Sequence, residues 1–405
     1  MKRVVGFRMG SLDPSEPTGG QEGPYQMYSQ LAREFDVHVI ACKSIVRRMR
    51  TATLAKDFRE TVLPLFSLLS VYAIDKFLGT KDILLPPWFY SADIALSSSR
   101  KKVLKKLLEE ADIIMLESWL LLPLVMKYRR ADCRLMYRVN NIDAIFFEPM
   151  VPRWYWNFKK GKVERLERET LAKCDGLVTV AEEDRRILMQ RYSLDGDRIF
   201  VFPIGANTTE FEPDPSSRDA IRGKYAPDGE TICAFVGSNI AHNNEIAHYI
   251  ACELAPKLPK CVFLILGRCA EGLRGRSLPS NVQAVGFLSR TDFKAVLSAV
   301  DIALNPVTYG SGMNIKMLTY MTAGIPTVTT LFGARGLDVE DGKHVVIADI
   351  DAFAQKIEQL AGDGRSRKRI SIEARELALR KYDLNVIGEE MRRSCRKVLE
   401  GPSIH

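Results

Sequence analysis

Short apolar runs alternate with amphipathic stretches along most of the chain, the pattern of a parallel sheet with helices on both faces. In the first half, runs at 3–7, 37–42, 112–117, 134–139, 176–180 and 198–202 read as buried strands. Helical spacing recurs between them, at 25–35, 99–110, 162–173 and 182–191. Residues 202–215 are rich in proline, glycine and polar side chains and read as a linker. The pattern then restarts, with strands expected at 231–236, 261–266, 282–285 and 301–304 and a helix beginning near Asn243. Helices at 351–362, 366–381 and 384–399 close the chain. This predicts an α/β protein of two doubly wound domains, residues 1–205 and 206–383, with the last helix (384–405) crossing back to the first.

Composition narrows the class. The 405 residues are 46% hydrophobic and 27% charged, ordinary for a soluble globular chain, and allow two large domains. A net charge of +8 suits an acidic partner such as a nucleotide phosphate or an anionic lipid surface. No nucleic-acid module signature is present, so nucleic acid is not expected. The eight cysteines form no C-x-x-C pair and read as free thiols, and the five histidines lack metal-ligand spacing. A strand begins at Val4, leaving no room for a signal peptide, and no run of 18 apolar residues occurs. A cytoplasmic protein is expected, with a peripheral position at the inner membrane face conceivable through basic residues 43–59. The bland reading of that stretch is a solvated charge run followed by an apolar core helix at 62–78.

The chemistry concentrates in Gly310-Ser311-Gly312-Met313-Asn314-Ile315-Lys316, after the fourth strand of the second half. The glycines allow close backbone approach to a ligand. A helix is expected from 313 to 323, stopped by Gly324 and Pro326, with Ile315, Leu318 and Thr322 turned to the core. Lys316 falls in its first turn, where the helix dipole favours an anion. A bound phosphate would explain a lysine there; a glycine turn with a solvated lysine is the alternative. Glycine also precedes polar or basic residues at other strand ends, giving Gly237, Ser238, Arg268, Gly286, Phe287 and Leu288 as candidates for a nucleotide rim. In the first half, Gly19 and Gly20 precede a helix, and Asn140, Asn141 and Asp143 follow a strand where α/β sheets place ligands. Asp143 is either a general base or part of an Asn/Asp turn. The aromatics Phe146, Phe147, Trp154, Tyr155, Trp156 and Phe158, interleaved with Arg153, Lys159 and Lys160, read as a loop suited to sugar stacking, a lipid interface or an interdomain cluster. Two Asp-x-Asp triplets, at Asp195 and Asp349, read as helix caps and not as metal ligands.

These motifs resemble glycosyltransferase family 4, of GT-B fold. Gly19-Gly20-Gln21-Glu22 is similar to the family's Gly-Gly-x-Glu loop. Ile204-Gly205-Ala206-Asn207-Thr208-Thr209-Glu210-Phe211-Glu212-Pro213 is similar to its hinge. Phe235-Val236-Gly237-Ser238 resembles the start of its donor domain, and residues 316–328 its helix ending in Gly-x-Pro. The resemblance implies two Rossmann-like domains facing a cleft, with the nucleotide-sugar donor on the second and the acceptor on the first. It departs at the family's paired glutamates, whose positions hold Ser311 and Thr319.

The expected activity is transfer of a hexose from a UDP- or GDP-type nucleotide sugar to an acceptor hydroxyl, in polysaccharide or glycoconjugate synthesis. Neither a metal nor a cofactor is expected; the nucleotide sugar is a co-substrate and the acceptor a glycan or lipid-linked glycan. Lys316 and the 310–314 segment would hold the leaving diphosphate, Gly286 to Leu288 the base and Thr319 the ribose. Asp143 would be the base of an inverting reaction, with Gly19, Gly20, Asn140 and Asn141 on the acceptor side. Two alternatives stay open: a degenerate GT-B module that binds a nucleotide sugar without catalysis, and a nucleotide-sugar epimerase of the same fold.

Overall fold

Strands rich in Val, Ile and Leu, buried along their whole length, can pair only inside a sheet covered on both faces. The computed structural model describes residues 1–12, 19–43, 48–64, 94, 97–146, 148, 152–212, 215–309 and 313–401. It divides into two units, Met1–Ile204 with Ile387–His405, and Gly205–Val386.

In the first unit, β1 (Arg3–Met9), β2 (Asp36–Lys43), β3 (Arg50–Ala55), β4 (Phe58–Pro64), β5 (Ile113–Leu116), β6 (Arg134–Arg138), β7 (Gly176–Thr179) and β8 (Ile199–Val201) form one sheet. Its order is β3-β4-β2-β1-β5-β6-β7-β8, and only β3 runs antiparallel to its neighbour. The chain reverses direction across the sheet between β1 and β5, the switch point at which such sheets bind ligands. The helix Gly19–Leu31 crosses β1 so closely that a Cβ at Gly6 would lie 2.5 Å from the Tyr28 ring. The helix Leu384–Glu400 packs on the same face, burying Ile387, Met391, Cys395 and Val398 with Met27, Tyr28 and Leu31. Arg392 there donates to the Gln30 carbonyl at 2.9 Å.

In the second unit, β9 (Thr231–Val236), β10 (Cys261–Leu266), β11 (Val282–Gly286), β12 (Ile302–Asn305), β13 (Thr327–Thr329) and β14 (Val346–Ile347) form a wholly parallel sheet. The order β11-β10-β9-β12-β13-β14 is that of the dinucleotide-binding Rossmann sheet, with its switch point between β9 and β12.

Several local expectations are corrected. The glycine pair opens the helix Gly19–Leu31 instead of preceding it, because packing of Met27, Tyr28 and Leu31 outweighs the poor helix propensity of Gly19 and Gly20. Residues 50–64, expected to be a charge run entering a helix, form the β3–β4 hairpin, with Arg59 paired to Asp36. Residues 44–47 and most of 65–96 lie outside the described residues, so only part of the basic 43–59 stretch is described. The aromatic stretch, expected as a loop, falls largely in the helix Arg153–Lys173; Phe147 is outside the described residues. Residues 202–215 are not simply a linker: Ala206 N donates to the Tyr382 carbonyl at 2.8 Å, and Leu384 N to the Ala206 carbonyl at 3.1 Å.

Candidate active site

Three loops at the carboxyl edge of the second sheet are laced together through glycine backbone. Gly237 N donates to the Leu266 carbonyl at 3.0 Å, Gly267 N to the Gly286 carbonyl at 2.7 Å, and Cys269 N to the Gly237 carbonyl at 3.1 Å. Gly267 has φ +86, and a Cβ on it would sit 2.4 Å from the Gly237 carbonyl oxygen. Gly267→Ala is therefore expected to cost about 2–4 kcal/mol through strain and clash. Urea unfolding measures it; a cost below about 0.5 kcal/mol would show that the loops are not locked this way.

The helix Ile315–Thr322 follows β12 at the switch point. It is shorter than the expected 313–323, and its burial differs. Met317, Leu318, Tyr320, Met321 and Thr322 are buried, while Ile315 is only half-buried. Tyr320 is the reason: its hydroxyl accepts from Val236 N at 3.0 Å, pulling that face of the helix onto the end of β9. The other end is fixed by asparagines. Asn305 and Asn314 both donate to the Gly333 carbonyl, at 3.0 and 3.2 Å.

Lys316 is thereby held over the end of β9. Its amine donates to Asn243 Oδ1 at 3.1 Å and lies 4.2 Å from the centre of the Phe235 ring. Among the described residues no carboxylate meets it. Burial pushes its pKa down from 10.5 to about 8, with the nearby Cys269 thiol acting weakly the other way. An enclosed ammonium without a counter-ion is costly, and an arriving anion would offset that cost. Thr319, half-buried, is three residues on and shares this flank of the helix.

His242 stands beside this pair. Its ring packs edge-on against Tyr309, with centroids 4.4 Å apart, and its pKa is lowered by burial and then by Lys316. Tyr309 donates to Glu245. Asn243, with Nδ2 donating to Ser238 Oγ at 3.1 Å, ties Ser238 to Lys316. Sequence reading placed Asn243 only as a helix start and missed Phe235 and His242. Two helices opening with His242-Asn243 and Lys316 after neighbouring strands were the available signal. At the far side of the edge the Arg268 guanidinium lies 5.3 Å over Phe287, which is 72% exposed and follows Gly286 at φ +83. Leu288 is partly buried against the core, and Met313 is buried beside Gly336, so its side chain serves packing. Gly310, Ser311 and Gly312 lie outside the described residues.

In the first unit, Asp143 opens the four-residue helix Asp143–Phe146 after β6. Its Oδ2 accepts from the buried Trp119 indole N–H at 2.5 Å, and its backbone N–H donates to Glu167 Oε1 at 2.8 Å. Glu167 also accepts from Ala144 N at 3.5 Å and from the Tyr192 hydroxyl. Burial raises the Glu167 pKa, and these donors pull it back. Glu167→Ala would strand the two amides and the hydroxyl, so a loss of about 2–3 kcal/mol is expected; a urea midpoint close to wild type would contradict this bracing role. Asn140 accepts from Arg138 and is half-buried, as is Asn141. Arg138 in turn lies 3.6 Å from Glu117, which also binds Arg8 at 3.3 Å and the Tyr28 hydroxyl at 2.8 Å. This buried cluster sits at the β1–β5 switch point. Of the two Asp-x-Asp triplets, Asp195 caps a short turn by accepting from Asp197 N at 3.0 Å, whereas Asp349 makes no side-chain cap.

Residues 19–210 match the family model described as Glycosyltransferase Family 4, and residues 230–363 that described as Glycosyl transferases group 1. The chain carries a glycosyltransferase family 4 domain followed by a glycosyltransferase group 1 domain. It is 25% identical over 244 residues to an alpha-D-kanosaminyltransferase of Streptomyces kanamyceticus, covering 57% of this chain and 63% of that protein. It is 26% identical over 227 residues to a D-inositol 3-phosphate glycosyltransferase of Nocardia farcinica, covering 51% and 49%. The chain thus spans about half to just under two thirds of these curated relatives. Among solved structures, Anabaena HepE in complex with UDP superposes with a TM-score of 0.70 at 13% identity, covering 98% of this chain and all of HepE, 100%. Sucrose-phosphate synthase from Thermosynechococcus elongatus gives 0.72 at 14% identity, covering 98% and 99%. These neighbours establish the GT-B fold, two parallel-sheet α/β domains.

Proposed function

We propose that this glycosyltransferase moves a hexose from a nucleotide-diphosphate sugar to an acceptor hydroxyl. The observation that carries the reading is Lys316, an enclosed cation that no carboxylate among the described residues meets, at the switch point of a Rossmann-ordered sheet. A diphosphate is the ligand that such a cation, next to glycine-lined loops and a helix N-terminus, is built to meet. Its leaving group gains charge in the transition state, where a fixed amine acts most strongly. Gly237 and Ser238 would approach the phosphates, the exposed Arg268–Phe287 pair with Gly286 and Leu288 would stack on or bracket the base, and Thr319 would reach the ribose. HepE was crystallised with UDP and with UDP-glucose, which favours a uridine nucleotide over a guanosine one.

On the first unit, Asp143 is the candidate base, steadied by Trp119 and Glu167, with Asn140, Asn141, Gly19 and Gly20 on the acceptor side. The proposed reaction needs neither metal nor cofactor: the amine does the work of charge neutralisation. The product would enter polysaccharide or glycoconjugate synthesis. The test is a thermal-shift panel of UDP, GDP and ADP, followed by sugar release from the matching nucleotide sugar with and without acceptor. A nucleotide at 100 times its Kd adds about 2.7 kcal/mol. Stabilisation by none of the three would overturn the reading. Stabilisation without turnover would favour the degenerate module, and conversion without acceptor the epimerase.

A further inference from the structure

The helix Arg153–Lys173 presents two unlike faces. Tyr155, Trp156, Val163, Glu167, Thr170 and Leu171 are buried. On the opposite side, Trp154 is 64% and Phe158 77% exposed, the second of them the most exposed large apolar side chain among the described residues. At about 100° per residue, Trp154, Phe158, Arg165 and Arg168 fall within an arc of about 80°. Arg153 is also exposed, and half-buried Lys162 flanks the stripe, whereas Lys159 and Lys160 fall on the side that carries the buried residues. The acids nearby are Glu164, which pairs with Arg191, Glu169, 4.0 Å from Arg165, and the exposed Glu148. Cations therefore outnumber acids across this face. Two large aromatics one turn apart in water are not explained by packing, and Lys159 lies 5.4 Å from the Phe158 ring without covering it. Aromatic tips above a basic stripe fit the boundary between lipid headgroups and acyl chains.

We infer that this helix face docks on an anionic lipid bilayer, Trp154 and Phe158 entering the headgroup region and Arg165, Arg168 and Arg153 meeting lipid phosphates. This differs from the stretch 43–59, whose described part is an edge hairpin. The inference stands apart from the donor site. It has a consequence for the first unit, because the buried side of the same helix carries Glu167, which holds the Asp143 amide. Docking would place the acceptor side at the lipid surface, where a lipid-linked hydroxyl is presented.

Vesicle flotation tests it, using phosphatidylcholine alone and phosphatidylcholine mixed with phosphatidylglycerol. The wild type should float with the mixed vesicles, and added salt should release it. Trp154→Ala with Phe158→Ala should weaken binding about tenfold or more. Arg165→Glu with Arg168→Glu should weaken it by on the order of 25-fold, since each basic residue at an anionic surface is worth about fivefold. Nucleotide-induced thermal stabilisation, unchanged in both variants, confirms that they are folded. Failure of the wild type to float, or flotation of both variants like wild type, overturns the inference. So does a solution dimer that the aromatic double variant dissociates without any vesicle binding, which would assign the face to a second copy.

Discussion

Lys316→Ala is expected to lower turnover about 100-fold and to remove most of the stabilisation by nucleotide. The amine is anchored by Asn243 and by the Phe235 ring, so its position is set before a ligand arrives. Fixed charge of this kind costs no reorganisation during the reaction. The same residue burdens the unliganded protein. Its pKa falls from 10.5 to about 8 on folding, so the unfolded chain binds more protons between those values. Stability of the unliganded protein should therefore rise as pH climbs from about 8 to about 10.5. Lys316→Met should raise unliganded stability by on the order of 1–3 kcal/mol and flatten that rise. Calorimetry with and without UDP checks both halves. A variant that turns over within about threefold of wild type would remove Lys316 from the diphosphate.

Asp143→Asn is expected to lower turnover by about 10²–10⁴-fold while leaving nucleotide binding intact. The amide oxygen of asparagine can still accept from Trp119, and the backbone bond to Glu167 is untouched, so the change removes basicity while keeping both of these bonds. Single-turnover assays with donor and acceptor separate the chemical step from binding. Turnover near wild type would mean that Asp143 merely starts its short helix.

The alternation of apolar runs and helical spacing made both sheets legible, because fully buried parallel strands leave continuous Val, Ile and Leu in the sequence. The hairpin of β3 and β4 was not, since its outer strand, Arg50–Ala55, is exposed along nearly its whole length and leaves no run of buried apolar residues. Short strands such as β13 and β14 carry too few residues to show a period. Helices at Pro215–Tyr225 and Arg290–Ala299 also went unread; they are polar enough to pass for loops and are held by packing on one another and on the sheet. In the site, Lys316 stood out because its charge is wrong for a helix start. Asn243 and Phe235 did not, since an asparagine at a cap and a phenylalanine in a strand each have an ordinary explanation. Only the fold brings them to the same amine.

The backbone enters the second unit near Ala206 and leaves it near Asp383, and these two points are stapled to one another by backbone hydrogen bonds and by Thr208 Oγ1 on Asp383 at 2.5 Å. A segment whose ends meet at one seam behaves like a cassette. Splicing the corresponding segment of a related glycosyltransferase between those positions should give a folded hybrid, checked by a single cooperative melting transition.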